Sequence, residues 1–511
     1  MNKFKTLLLG TLLSATATTA TAGGILTNTN QSIDFLRNPA RDAAIGLDGV
    51  YSNPAGVAFL PEGFHLGLNW QYAHQTRTIT STNPVFALGR KNLGAETKEF
   101  QGVADAPIIP SIQAAWNKGN WSMQFNFSVP GGGGMCEYAD GLGSFESVVG
   151  TIAQQLAPLG ATGYDMNGFM RGRQYYYGVQ LGAAYKIYDN LSVYGGLRFL
   201  YGDATYKAKI SNIQVRTQTT IGDAYVDFGS FLDAASTKVD GMVSQVNSGI
   251  EQVNAGIAQY EAAGMPVPAE LSAKLAELQG QYAQLEGTKN SLNGLQKYSQ
   301  GVNLLCNQTS LGVAPVIGVD YKLNDQFNFA VKYEFNTQIR MKNESTVDEA
   351  SEIPAVNKFR DGEKVNEDQP ALLVAGVQWT PVTPVRINAG FHMFFDKDAS
   401  WYNNSQRLLD HNSMEYLLGA EWDVTDRLTV SAGAQMTRYG LTDEYMNDLS
   451  FVVNSVSYGF GFNYKVADHV KVKAGYFETD YENYDRLTSA TVRDSFTRTN
   501  RVIGIGCDID I

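Results

Sequence analysis

The sequence predicts an all-β membrane barrel of about 14 antiparallel strands, with an α-helical hairpin inserted in one loop. Three observations lead there: a secretory leader, runs in which apolar and polar residues alternate over a membrane-spanning length, and connections that alternate between tight turns and long loops.

Residues 1–22 read as a signal peptide. Lys3 and Lys5 precede an apolar stretch around Leu7, Leu8, Leu9, Leu12 and Leu13, and Ala20-Thr21-Ala22 supplies small residues for cleavage. The apolar stretch is too short for a membrane helix, which needs about 20 residues. No Cys stands at the new N-terminus to carry a lipid. No later segment is long and apolar enough to span as a helix, so membrane embedding must use strands.

The stretch 23–63 follows neither a strand nor a coiled-coil period and is rich in turn formers. Strands begin after it. Phe64, Leu66, Leu68, Trp70 and Tyr72 alternate with His65, Gly67, Asn69 and Gln71, which puts one greasy and one polar face on a strand. The pattern recurs from Trp121 to Val129 and from Phe327 to Phe335. These runs approach the roughly 9 to 11 residues of a tilted membrane strand and exceed the usual length in a soluble sandwich. Strands are expected near 64–78, 109–117, 120–130, 168–188, 191–208, 310–322, 326–341, 370–380, 384–396, 413–423, 427–438, 451–466, 469–481 and 499–511. Lys118-Gly119, Asp189-Asn190, Asn324-Asp325, Pro381 to Pro384, Asp423 to Asp426 and Ala467-Asp468 form tight turns, assigned to the periplasmic side, and the long connections go outside. In the last strand Asp508 and Asp510 are expected to face the lumen, with Cys507 toward lipid.

One segment departs from the β pattern. Val239, Val243, Val246, Ile250, Val253, Ile257 and Tyr260 are spaced alternately four and three apart, and the spacing resumes at Leu271, Leu275, Leu278, Tyr282, Leu285 and Leu292 after the breaker Gly264 to Pro268. Residues 231–300 are therefore an antiparallel helical hairpin in an extracellular loop. It is either a stiff loop packed on itself or on the barrel mouth, or a handle for a surface partner or for capturing substrate.

Composition agrees with a barrel: 51 Gly, 27 Tyr and 25 Phe at a mean hydropathy of -0.21 suit strands that show lipid one face and water the other. A net charge of -12 without a basic block argues against nucleic acid. Cys136 and Cys306 are expected outside, just after the third strand and just before the sixth, and paired as a disulfide in that oxidising setting. The five histidines and the His411-Asn412-Ser413 tripeptide do not assemble a nucleophile and base, so no enzyme activity is expected. The Gly131 to Gly134 run lacks the Lys of a phosphate loop and is expected at a loop entrance, and the acidic stretches at Asp348-Glu349 and Asp361 to Glu363 lack a calcium pattern. No metal or cofactor is expected.

Residues 33–40, Ile-Asp-Phe-Leu-Arg-Asn-Pro-Ala, and 51–58, Tyr-Ser-Asn-Pro-Ala-Gly-Val-Ala, resemble the FadL/TodX family of outer-membrane transporters for hydrophobic compounds. The likeness extends over nearly the whole mature chain, and the helical hairpin departs from it. The resemblance implies a luminal hatch at 23–63 within a barrel of 64–511, in the outer membrane of a Gram-negative bacterium. It implies passive uptake of hydrophobic molecules, fatty acids or aromatic hydrocarbons, with release sideways into outer-membrane lipid. By placement it makes Gly24, Ile25 and Leu26 the ligand-sensing end and Phe125, Phe127 and Pro130 the neighbourhood of a lateral gate, while Asn53, Pro54, Ala55 and Gly56 match the motif itself and hold the hatch. The competing expectation is a surface adhesin whose barrel anchors the hairpin.

Overall fold

The computed structural model describes residues 25–220, 222–347 and 354–511, so the leader 1–22, Gly24 and the acidic pair Asp348-Glu349 lie outside the described residues. The strands are β1 (Gly63–Thr82), β2 (Thr97–Lys118), β3 (Trp121–Tyr138), β4 (Ala161–Tyr188), β5 (Leu191–Thr219), β6 (Gly222–Asp227), β7 (Val302–Lys322), β8 (Phe327–Glu334) and β9 (Arg340–Val347), followed by β10 (Lys364–Asn366), β11 (Leu372–Val382), β12 (Val385–Phe394), β13 (Ser413–Asp423), β14 (Leu428–Arg438), β15 (Ser455–Ala467), β16 (Val470–Tyr481), β17 (Tyr484–Ser489) and β18 (Val492–Asp510). They close a 14-strand antiparallel barrel, with short extra strands beyond it. Closure comes from β1 against β18, paired from His65↔Asp510 to Thr82↔Arg493. Among the described residues, this leaves the closed barrel wall no free edge in the membrane-spanning part.

The alternation decides which way each strand faces. Phe64, Leu68 and Trp70 are exposed on the outer surface, while His65, Asn69 and Gln71 are buried inside. Near the tight turns the outer surface carries Trp116, Trp121, Tyr185, Tyr321, Trp379, Trp422 and Tyr464, all exposed. A second exposed aromatic row, with Trp70, Tyr201, Tyr416 and Tyr458, lies toward the long loops. Trp422 and Tyr416 are six residues apart on β13, about 20 Å along the strand. Two aromatic girdles flanking an apolar band are the signature of a membrane-embedded barrel.

The expected strand order and tight turns hold, but the barrel is taller than the sequence indicates. β2 starts at Thr97 instead of 109, β5 runs on to Thr219, and β7 and β18 begin at Val302 and Val492. All these extensions lie beyond the loop-side girdle, where the outer face carries Thr76, Thr78, Thr80 and Gln101. Without lipid to face, the greasy side of the alternation disappears although the backbone ladder continues. The expected strand 326–341 divides into β8 and β9, which pair with successive parts of β7.

The same extension corrects the disulfide. Cys136 and Cys306 are free thiols buried inside β3 and β7, and not loop residues. With β4 and β5 between them, three strand spacings separate the two by about 14 Å, against the roughly 7 Å at which a bridge can close. The Gly131 to Gly134 run, expected at a loop entrance, is likewise inside β3.

The heptad segment forms two helices, α3 (Phe228–Ala262) and α4 (Ala269–Gln296), numbered after α1 (Ile33–Arg37) in the lumen and α2 (Gly143–Gln155) in the β3–β4 connection. The Asp227 carboxylate caps α3 by accepting from Ser230 N at 3.2 Å. Lys289 and Asp240 join the two arms at 2.6 Å. Phe228, Phe231, Leu232, Val239, Leu292 and Leu295 are buried at the base, packed into the apolar cluster of the barrel mouth. Val239→Asp would place a charge in that base. The expected result is at least about tenfold faster proteolysis within 228–296, with unchanged heat-modifiable migration of the barrel.

Candidate functional site

The segment 25–62 folds inside the barrel. Ser32 starts α1 by accepting from Phe35 N at 3.1 Å. Ile33, Phe35, Leu36 and Ala40 pack against the wall residues Ala73, Ala106, Leu417, Phe477 and Val502. The wall gives room through glycines: a Cβ at Gly459 would stand 2.0 Å from Leu36 O, and one at Gly504 would stand 2.4 Å from Ile33 Cδ1.

Its polar side is bolted to the wall by buried ions. Glu421 on β13 takes Arg37 at 2.8 Å and Arg41 at 3.0 Å. Arg41 also holds Asp48 at 2.8 Å, and Arg37 holds Asp34 at 2.7 Å. Lys473 on β16 joins Asp34 to Asp508, the latter at 2.6 Å. Burial alone would raise the Asp34 carboxyl, but Lys473 and Arg37 overcome it and hold the group well below the ordinary carboxylate range. His392 on β12 meets Asp42 of the hatch at 2.9 Å through Nε2 and Glu415 of the wall at 2.7 Å through Nδ1.

The Asn53 to Gly56 motif sits in the middle of this attachment. Asn53 Nδ2 donates to Asp320 Oδ2 at 2.5 Å, and Asn53 Oδ1 accepts from Gly56 N at 3.2 Å. Pro54 O and Ala55 O accept from Gln124 and Ser192 of the wall at 2.7 and 2.6 Å. A Cβ on Gly56 would stand 2.4 Å from Asn53 Nδ2 and 2.8 Å from Asp320 Oδ2, which restricts the position to glycine. Ile25 and Leu26 lie elsewhere, in an apolar nest of Ala399, Trp401, Leu409, Tyr439 and Val452 contributed by the long loops.

The interior therefore has two zones. The half toward the tight turns is ionic and filled by the hatch. The half toward the loops is lined by Ile79, Phe100, Tyr176, Leu200, Tyr206 and Met341, with Phe451 folded in from a loop. Buried charge interrupts this apolar zone: Lys358 pairs with Glu367, and Arg77 and Arg498 stand directly opposite each other on β1 and β18. Arg77 lies over the Phe451 ring at 5.6 Å and Arg498 over Tyr481 at 4.9 Å. Like charges in directly opposed positions repel.

Between the two zones the wall itself is interrupted. β2 and β3 pair from Gly102 to Asp105 and again from Ile112 to Lys118, but not between. Pro107 and Pro110 on β2 and Pro130 on β3 lack the N–H donors a ladder needs. Gly132 and Gly134, at φ 73 and 98, throw the register of β3 against β4. The hatch takes over the released backbone groups: Asn28 N donates to Pro130 O at 2.9 Å, and Gln31 exchanges bonds with Val129 O and N at 3.1 and 3.0 Å. A small cavity lies there, lined by Asn28, Gln31, Ala106, Ile109, Val129 and Tyr175. Ile108 is exposed on the outside of the same break. Of the residues expected near a gate, Pro130 is buried at the break, while Phe125 and Phe127 lie just below it on the outer face. The prolines of β2 carry a sequence signal that the strand assignment 109–117 passed over. The Arg77–Arg498 pair could be recognised only with the register known.

No protein-family model matches the sequence, and no curated protein matches it. Among solved structures the chain is similar to a Pseudomonas aeruginosa FadL homologue, at 12% identity over 96% of this chain and 100% of that one, with a TM-score of 0.59. It is also similar to the P. putida toluene transporter TodX, at 11% identity over 91% and 94% of the two chains and a TM-score of 0.51. In fold, the chain is similar to these FadL- and TodX-type barrels.

Glu421→Gln would leave Arg37 and Arg41 buried with one anion fewer. A loss of about 3 kcal/mol is expected, read as reduced hydrogen-exchange protection of residues 33–41 while the strand amides remain protected.

Proposed function

We propose that this protein is a passive outer-membrane channel of a Gram-negative bacterium, which takes hydrophobic molecules in from the loop side and releases them sideways through the β2–β3 break into the lipid. The observation that carries this reading is the position of the break, where the apolar zone ends and the ionic, hatch-filled zone begins. An apolar molecule descending the interior meets charge below and an opening beside it. Each buried CH₂ contributes about 0.8 kcal/mol, so a route that stays apolar from mouth to bilayer needs no energy source. The structural neighbours include a protein described as a toluene transporter and a FadL homologue.

For the cargo we favour long-chain fatty acids over neutral hydrocarbons. Arg77 and Arg498 set two guanidinium groups side by side on the inner wall, and a carboxylate is a strong acceptor for a guanidinium. The exposed outer length of α3 and α4 supports a second, separate role as a surface handle, tested by deleting 231–300 and measuring cell-surface binding beside uptake.

Two measurements test the transport reading. Ala106→Phe fills the cavity at the break and is expected to reduce uptake of a labelled fatty acid by at least about tenfold while equilibrium binding to the purified barrel persists. Wild-type uptake by a folded Ala106→Phe barrel would remove the lateral exit. Arg77→Met should weaken binding of a fatty acid by about tenfold or more and leave its methyl ester unaffected. Equal losses for acid and ester would make the pair structural and return neutral hydrocarbons to the front.

A further inference from the structure

A second group of cations lies on the outside of the barrel. Tyr177 and Tyr201 are register partners in the loop-side girdle on β4 and β5. Counting upward from them, the outward positions are Tyr175 and Asp203, then Arg173 and Thr205, then Arg171 and Lys207, and then Phe169 and Lys209. Arg171 and Lys207 are directly opposed like charges, which a sheet surface normally avoids. Arg171 reaches Glu137 only at 3.7 Å, and Arg173 pairs with Asp203. Lys207 and Lys209 have no ion-pair partner among the described residues, and Lys209 is exposed. Lys342 on β9 adds another exposed cation next to Thr309 of β7, and Glu344, beside Asn307, is the carboxylate that β9 sets against it. On β16 the rim carries Glu478, Asp480 and Glu482, with Arg501 and Arg438 paired to the first and the last. In a chain of net charge -12, two lysines without an ion-pair partner beside two arginines form a local excess of positive charge.

We infer that the outer face of β4 and β5 above the tyrosine girdle binds the phosphorylated head group of a glycolipid in the leaflet on the loop side. Height selects this ligand. Arg173 is four residues and Arg171 six residues beyond Tyr177, so the cations start about 10 Å above the girdle after allowing for strand tilt. A simple phospholipid places its phosphate at the girdle, whereas a glycolipid with phosphorylated sugars carries anions higher. Arginine offers a fork to phosphate, lysine adds point charge, and Thr205 and Asn307 flank them with hydroxyl and amide groups for the sugar. The inference rests on the membrane-embedded barrel and does not depend on the cargo in the lumen.

The test uses the full-length protein, stripped of lipid in detergent, with native mass spectrometry to count bound bis-phosphorylated lipid A. The variants are Lys207→Gln/Lys209→Gln, which breaks no ion pair, and Arg171→Gln. The control is Lys465→Gln/Lys471→Gln, which removes the same charge at the tight-turn end. Heat-modifiable migration verifies folding of each. The lysine variant should bind lipid A at least about tenfold more weakly, the control should bind as wild type, and binding should fall with added salt. Three outcomes would each overturn the assignment: unchanged binding by the folded lysine variant, equal binding of dephosphorylated lipid A, or displacement by millimolar inorganic phosphate, which would make the patch a free-anion site.

Discussion

The structure depends on Glu421. Its carboxylate receives both Arg37 and Arg41 in the interior, and these two arginines in turn order Asp34 and Asp48. A segment without long regular structure has many backbone and charged groups to satisfy, and in a barrel lumen most of them are cut off from bulk water. Attachment to the wall at Glu421, Lys473, His392 and Asp320 meets that requirement. Breaking such a buried pair costs far more than the pair itself contributes, so the network makes the hatch position specific even where its net stabilisation is modest.

That constraint shapes the interior. The ions that hold the hatch lie mainly in the half it fills, the other half is lined mainly by apolar side chains, and the β2–β3 ladder fails at the boundary between them. The break is tolerable only because Asn28 and Gln31 of the hatch bond the strand groups that lost their partners. Hatch and break are thus one construction: displacement of residues 28–31 would uncover the unpaired backbone of β3. A plug and a side opening, which look like separate features, share the same hydrogen bonds.

Much of this was legible in the residues. Alternation at Phe64 to Tyr72 assigned the lipid face, heptads from Val239 to Leu292 located the hairpin, and the tight turns set the strand count. Legibility failed wherever the environment stopped being lipid. Above the girdle the outer face is polar, so β2, β5 and β7 continue without the greasy outward row that marks a lipid-facing strand, and Cys136 and Cys306 stand on strands where the sequence predicts loops.

The sequence by itself determined the class of the molecule, because lipid-facing strands must alternate and a turn between adjacent strands must be short or long in sequence terms. Only the tertiary structure decided what the inward residues do. Arg77 and Arg498 are separated by hundreds of residues, as are Arg37 and Glu421, and His392 and Asp42. Closure of the barrel and the register of its strands bring them together, and register is a property of pairing that no local pattern of side chains records.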